Sequence, residues 1–98
     1  DTLSGGDGWD LIYGYSGNDK IYGGGGNDTI YGQTGQDELN GGNGNDRLFG
    51  GQGQDLIFGG AGHDRIFGDE YGDDLYGNGG NDLIVGGSGT HGSSGLAT

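Results

Sequence analysis

The chain has 98 residues, 30 of them glycine, no cysteine, no proline and a formal net charge of −12. That charge argues against nucleic acid and anionic membrane as partners, no apolar run reaches transmembrane length, and the lack of cysteine removes disulfides and thiolate metal sites. At 28% hydrophobic residues the composition is that of a disordered segment, but disorder needs no positional order, and here every class of residue keeps its place.

From the N-terminus an aspartate stands at every ninth residue: Asp1, Asp10, Asp19, Asp28, Asp37, Asp46, Asp55, Asp64, Asp73 and Asp82. Two residues after each comes Leu or Ile: Leu3, Ile12, Ile21, Ile30, Leu39, Leu48, Ile57, Ile66, Leu75 and Ile84. A glycine keeps the same beat from Gly5 to Gly95. The triplets 2–4, 11–13, 20–22, 29–31, 38–40, 47–49, 56–58, 65–67, 74–76 and 83–85 read as short strands joined by six-residue turns. Side chains alternate along a strand, so the middle residue of each triplet faces a core and its neighbours face out. Such short strands are stable only when stacked. A nine-residue unit makes half a coil, so alternate units lie on opposite parallel sheets and a full coil takes 18 residues. At about 4.8 Å per coil the body is about 25 Å long. A collagen-like reading fails, because the period is nine and not three.

Glycine stands two residues before the aspartate at Gly8, Gly17, Gly26, Gly35, Gly44, Gly53, Gly62, Gly80 and Gly89, and the next residue is Asn at 18, 27, 45 and 81. Gly, then Asn, best tolerates a positive φ, so both are expected to shape the turns. Ten aliphatic side chains are too few to offset the entropy of ordering so glycine-rich a backbone. Stacking adds repulsion: each edge carries a column of aspartates about 5 Å apart, costing roughly 1–3 kcal/mol per neighbour pair. Only Lys20, Arg47 and Arg65 oppose them, all on strands. Oxygen-ligated divalent cations remain as the missing component, and a flexible cage of carboxylate and carbonyl oxygens suits calcium better than magnesium.

The repeated unit, as in Gly41-Gly42-Asn43-Gly44-Asn45-Asp46-Arg47-Leu48-Phe49, resembles the RTX calcium-binding nonapeptide. The resemblance implies an all-β, right-handed parallel β-roll with calcium between stacked turns, over residues 1–90, with 91–98 a degenerate tail. It implies metal ligands at Asp10, Asp19, Asp28, Asp37, Asp46, Asp55, Asp64, Asp73 and Asp82. Turn carbonyls would join them near Gly6, Gly8, Gly17, Gly24, Gly26, Gly35, Gly42, Gly44, Gly51, Gly53, Gly60, Gly62 and Gly80. The edge from Asp10 to Asp82 offers four gaps and that from Asp19 to Asp73 three, hence about seven calcium ions. Asp1, Asp69 and Glu70 are marginal ligands, since Asp1 lies at the end of its edge and Tyr71 replaces the turn glycine next to Asp69 and Glu70. The second edge, with Tyr15, Gln33 and Asp69 where the first has glycine, is the less regular. At the C-terminal end His91 replaces the aspartate and Ser93 the aliphatic, so the roll is expected to end there. The resemblance further implies a secreted bacterial protein that leaves by a type I exporter and folds on external calcium. The chain starts in mid-unit, as expected of a segment of something longer.

No catalytic constellation is implied. His63 and His91 stand apart as solvated turn residues, the serines at 16, 88, 93 and 94 have no triad partners, and the glycine-rich turns lack the Lys-Ser/Thr of a phosphate loop. A non-enzymatic folding, secretion and structural segment is the reading. A filament, surface-layer or adhesin unit and an acidic polysaccharide-binding module are the alternatives. Outward rows of Tyr13, Tyr31, Phe49 and Phe67 and of Tyr22, Phe58 and Tyr76 are expected to form side-chain ladders. The face carrying Tyr13, Tyr31, Arg47, Phe49, Arg65 and Phe67 is the candidate surface for polysaccharide, other copies of the chain or a flanking domain.

Overall fold

A computed structural model describes residues 2–69 and 73–86 together with the backbone of 93–94. Expectations placed on Asp1, Glu70, Tyr71 and His91 lie outside the described residues. The strands are β1 (Thr2–Ser4), β2 (Leu11–Tyr13), β3 (Lys20–Tyr22), β4 (Thr29–Tyr31), β5 (Glu38–Asn40), β6 (Arg47–Phe49), β7 (Leu56–Phe58), β8 (Arg65–Phe67), β9 (Asp74–Tyr76), β10 (Leu83–Val85) and β11 (Ser93–Ser94). Odd strands form one sheet in the order β1-β3-β5-β7-β9-β11, and even strands the other, β10-β8-β6-β4-β2. Every pairing is parallel, and from β1 to β10 each residue pairs with the one 18 positions away, as in Ile12↔Ile30, Ile30↔Leu48 and Leu48↔Ile66. The architecture is the parallel β-roll that the nine-residue period requires. β11 adds its backbone to β9, within the stretch set apart as tail.

Alternation along each triplet is strict. Ile21, Ile30, Leu39, Leu48, Ile57, Ile66 and Leu75 have no exposed surface and form one core between the sheets, with Leu3, Ile12 and Ile84 packed against its ends. Each of the seven contributes about 1.5–3 kcal/mol by leaving water. Backbone bonds carry the ladders past the strands: Gly41 N–H donates to the Phe58 carbonyl and Arg47 N–H to that of Asp28, each at 2.8 Å.

Outside, Tyr13, Tyr31, Phe49 and Phe67 stack face to face, with ring centroids 5.1, 4.7 and 4.9 Å apart. On the other sheet Phe58 and Tyr76 stack at 5.3 Å, and Asn40 interrupts the row below them. Successive ring planes on the first stripe differ by only 9°, 8° and 7°, whereas ordinary strand twist turns neighbours by about 20–25°. The rings therefore stay nearly parallel along the stripe, and the side-chain ladder keeps contact along its whole length.

Candidate metal centre

The aspartates close each turn just before its strand, and the turn shape aims them inward. Gly42 (φ 86°) and Gly44 (φ 107°) lie in the left-handed region, which curls the six-residue segment back on itself. The equivalent glycines at 6, 8, 17, 24, 26, 35, 51, 53, 60, 62 and 80 do the same, so every glycine expected to aim a carbonyl holds this conformation. Their carbonyls face the next coil: the Gly24 carbonyl lies directly beneath Cα of Gly42 and that of Gly26 beneath Cα of Gly44. On the second edge Tyr15, Gln33 and Asp69 take positive φ without glycine's freedom, as Asn78 does on the first. The two edges are unequal, as the turn sequences indicate.

Sequence alone places the aspartates in turns and leaves them as a repelling surface column. In the structure they are interior groups. Asp19, Asp28, Asp37, Asp46, Asp55, Asp64, Asp73 and Asp82 are at most 3% exposed, and only Asp10 is half-buried. In seven of them one carboxylate oxygen has a fixed task. Oδ1 of Asp28, Asp46, Asp64 and Asp82 accepts the backbone N–H of Asp10, Asp28, Asp46 and Asp64 at 2.8–2.9 Å. On the other edge Oδ1 of Asp37, Asp55 and Asp73 accepts from Asp19, Asp37 and Asp55 at 2.7–2.9 Å.

The other oxygen is left over. Oδ2 of Asp10, Asp28, Asp37, Asp46, Asp55, Asp64 and Asp73 is buried without a hydrogen-bond partner, an arrangement that costs about 1–3 kcal/mol per group and more when the group is charged. Each Oδ2 lies beside the first glycine of its own turn. A β-carbon on Gly41 would stand 2.6 Å from both Asp46 Oδ2 and the Gly59 carbonyl oxygen. On the second edge a β-carbon on Gly32 would stand 2.8 Å from Asp37 Oδ2 and from the Gly50 carbonyl oxygen. Carboxylate and carbonyl oxygens therefore converge where a side chain is missing. This carbonyl, belonging to the first glycine of the next turn up, is absent from the ligand set implied by the resemblance, although the invariant beat Gly5, Gly14, Gly23 pointed to it.

Burial is the main cause that raises the pKa values of the aspartates and so weakens them as acids. It pushes Asp37 and Asp73 up to about 6, Asp46 and Asp64 to about 7 and Asp55 to about 8, and it raises Asp28 as well. The donated N–H opposes this, and neighbouring carboxylates add to it; for Asp55 these are Asp73, Asp37 and Asp69. Without counter-charge, burial shifts Asp28, Asp37, Asp46, Asp55, Asp64 and Asp73 toward their protonated forms. Among the described residues no three carboxylate or imidazole side chains gather round one point. A cation between the turns would complete its shell with backbone oxygens. A buried, orphaned oxygen in a cradle that a β-carbon would fill fits a hard divalent ion.

A second ladder runs outside the first. Asn27 Oδ1 accepts from Asn45 N–H at 2.7 Å, Asn45 Oδ1 from His63 N–H at 2.8 Å, and His63 Nδ1 from Asn81 N–H at 2.9 Å. On the other edge Asn18 Oδ1 accepts from Gln36 N–H at 2.8 Å. This corrects the expectation that these asparagines serve left-handed backbone: none has a positive φ, and they act as rungs between coils. His63 is exposed, as expected of a turn residue, but it takes the place of an asparagine in this ladder. Asp69 Oδ2 reaches Gly51 N–H at 3.3 Å.

Four overlapping stretches, residues 4–39, 22–57, 31–66 and 58–90, match the RTX calcium-binding nonapeptide repeat. Neither the search of curated proteins nor that of solved structures returns a match. The matched stretches span every coil whose aspartates are described above, and they carry calcium binding to the chain as a whole. On this ground, and on that of the roll itself, the chain belongs to the RTX calcium-binding nonapeptide repeat family.

Proposed function

We propose that this chain is an extracellular, non-enzymatic module whose folding is gated by calcium, serving the folding, secretion and structure of a larger secreted protein. The observation that carries the reading is the row of buried Oδ2 atoms without a hydrogen-bond partner at Asp10, Asp28, Asp37, Asp46, Asp55, Asp64 and Asp73. Protein groups satisfy one oxygen of each carboxylate and leave the other to a ligand that the protein must import. The ions are held by these aspartates with turn carbonyls, including those of the first glycines. About seven ions are needed, one for each of the seven gaps that an aspartate-to-aspartate rung crosses. Calcium supplies positive charge at the centre of each column and so turns mutual repulsion into cohesion. The chain's own part is to shape the cradle: Oδ1 and the N–H below it fix the carboxylate, and the first glycine keeps the space open.

The gating follows from compartment chemistry. Where calcium is scarce the ionised columns oppose stacking, and where it is millimolar they close, so export precedes folding. The test is a far-UV circular dichroism titration starting in chelator, with magnesium as control. A cooperative rise of β signal with calcium alone is expected. A roll already formed in chelator at neutral pH would refute the gating. The flat outer faces favour a second reading, a unit of an extracellular layer or filament.

A further inference from the structure

In this acidic chain the outer face of the even-stranded sheet is the exception. It carries Arg47 and Arg65 in direct register on β6 and β8, beside the aromatic stripe, and no outward carboxylate. Like charges side by side on neighbouring strands destabilise a sheet, and no ion pair of either arginine is found among the described residues.

The opposite face has the matching character. Glu38 on β5 and Asp74 on β9 point outward beside the second aromatic row, with Lys20 as the single cation. Both faces are broad and flat, since the body measures 32 × 30 × 13 Å. Each face thus offers somewhat under about 1,000 Å², close to the roughly 800 Å² per partner of a stable interface.

We propose that the even-stranded face of one copy docks on the odd-stranded face of a second, bringing Arg47 and Arg65 against Glu38 and Asp74 with the aromatic rows between them. The contact joins unlike faces, so it does not close on itself and builds a stack of slabs, with sheets packed about 10 Å apart. It rests on the calcium reading, because two chains of net charge −12 repel each other until their columns are neutralised. An acidic polysaccharide is the competing occupant of the arginine face. The symmetric pairing of two arginine faces is disfavoured by four facing cations.

Sedimentation of the wild-type chain in millimolar calcium, from micromolar to millimolar protein, tests the proposal. Concentration-dependent growth that weakens with added salt is expected. Arg47→Glu/Arg65→Glu and Glu38→Lys/Asp74→Lys should each be monomeric alone, and mixing them should restore association because every new charge meets its opposite. Circular dichroism in calcium runs alongside. Full β signal with a monomeric wild type overturns the stacking and leaves the calcium reading standing, whereas absence of β signal in calcium takes both down. Should either variant fail to fold, the wild type's salt response decides, and association indifferent to salt overturns the proposal. So does a monomer that captures dextran sulfate through its arginines, which would assign the face to an acidic polymer.

Discussion

Asp64 Oδ1 accepts the backbone N–H of Asp46 at 2.8 Å, so neighbouring aspartates of one column are tied together through the main chain of one and the carboxylate of the other. The bond sets their spacing whether or not a cation is present. What a cation changes is the fate of the second oxygen on each.

That division of labour gives Asp46→Asn opposite effects in two solutions. In chelator the variant loses one like-charge neighbour on each side, and at about 1–3 kcal/mol per pair the roll gains about 2–6 kcal/mol. In calcium it loses a ligand at the gaps above and below, and the calcium midpoint rises several-fold. The pH midpoint at which the metal-free chain gains β signal reads the first sign and the calcium midpoint the second, and a change of the same sign in both would contradict the site.

Gly41→Ala tests the cradle by space alone, since Gly41 is not among the residues of positive φ. Its β-carbon would meet Asp46 Oδ2 and the Gly59 carbonyl at 2.6 Å. We expect a loss of about 1–3 kcal/mol and weaker calcium binding. Gly79→Ala is the control, because nothing lies within 4 Å of its β-carbon. It should change stability by less than about 0.5 kcal/mol. Thermal melts in calcium compare the two.

Acid should substitute for calcium. Burial raises the aspartates from the ordinary 3.8 to about 6 for Asp37 and Asp73 and about 8 for Asp55. A carboxyl whose folded value lies above its unfolded value binds protons more tightly in the roll. Its stabilising contribution is full below the unfolded value and is lost as pH rises through the folded one. Metal-free chain should therefore gain β signal as pH falls from 8 toward 4, with the stabilisation growing over the whole interval down toward the ordinary 3.8. In calcium the midpoint should move to higher concentration over the same range, because ligands must shed protons to bind. Dichroism against pH in chelator checks the first, and calcium titrations at several pH values the second.

His63 links Asn45 to Asn81 through its backbone N–H and its Nδ1. His63→Asn keeps both rungs and should be neutral. His63→Ala removes the acceptor for Asn81 and should cost about 0.5–1 kcal/mol, seen as a small drop in melting temperature at neutral pH.

The core was legible because one residue in nine is Leu or Ile and nothing else competes for the interior: Leu48 and its equivalents are buried as their phase demands. The turns were legible through Gly42 and Gly44, whose positive φ only glycine adopts cheaply. What escaped is what depends on the distance between coils. Whether Asp46 lies in solvent or in the interior is decided by how closely Gly59 stacks above Gly41, and a one-dimensional pattern carries no such distance. The asparagine rungs were hidden for a related reason. Asn27 and Asn45 each look like a turn-former, and only their vertical alignment shows one serving as the other's acceptor.

Because strands pair with those 18 positions away while the core repeats every nine, the roll is written in two reading frames at once. Deleting 18 residues shortens it and leaves every remaining side chain on its own sheet. A deletion of nine is silent to the core, since one Leu or Ile simply replaces another, yet it moves everything downstream to the opposite side. Excising 32–40 would set Arg47 beside Lys20 and Phe49 beside Tyr22, and exchange the two aspartate edges from there on. Such a protein would keep its interior and lose the distinction between its faces, so copying errors of one unit and of two units have different consequences in the same gene.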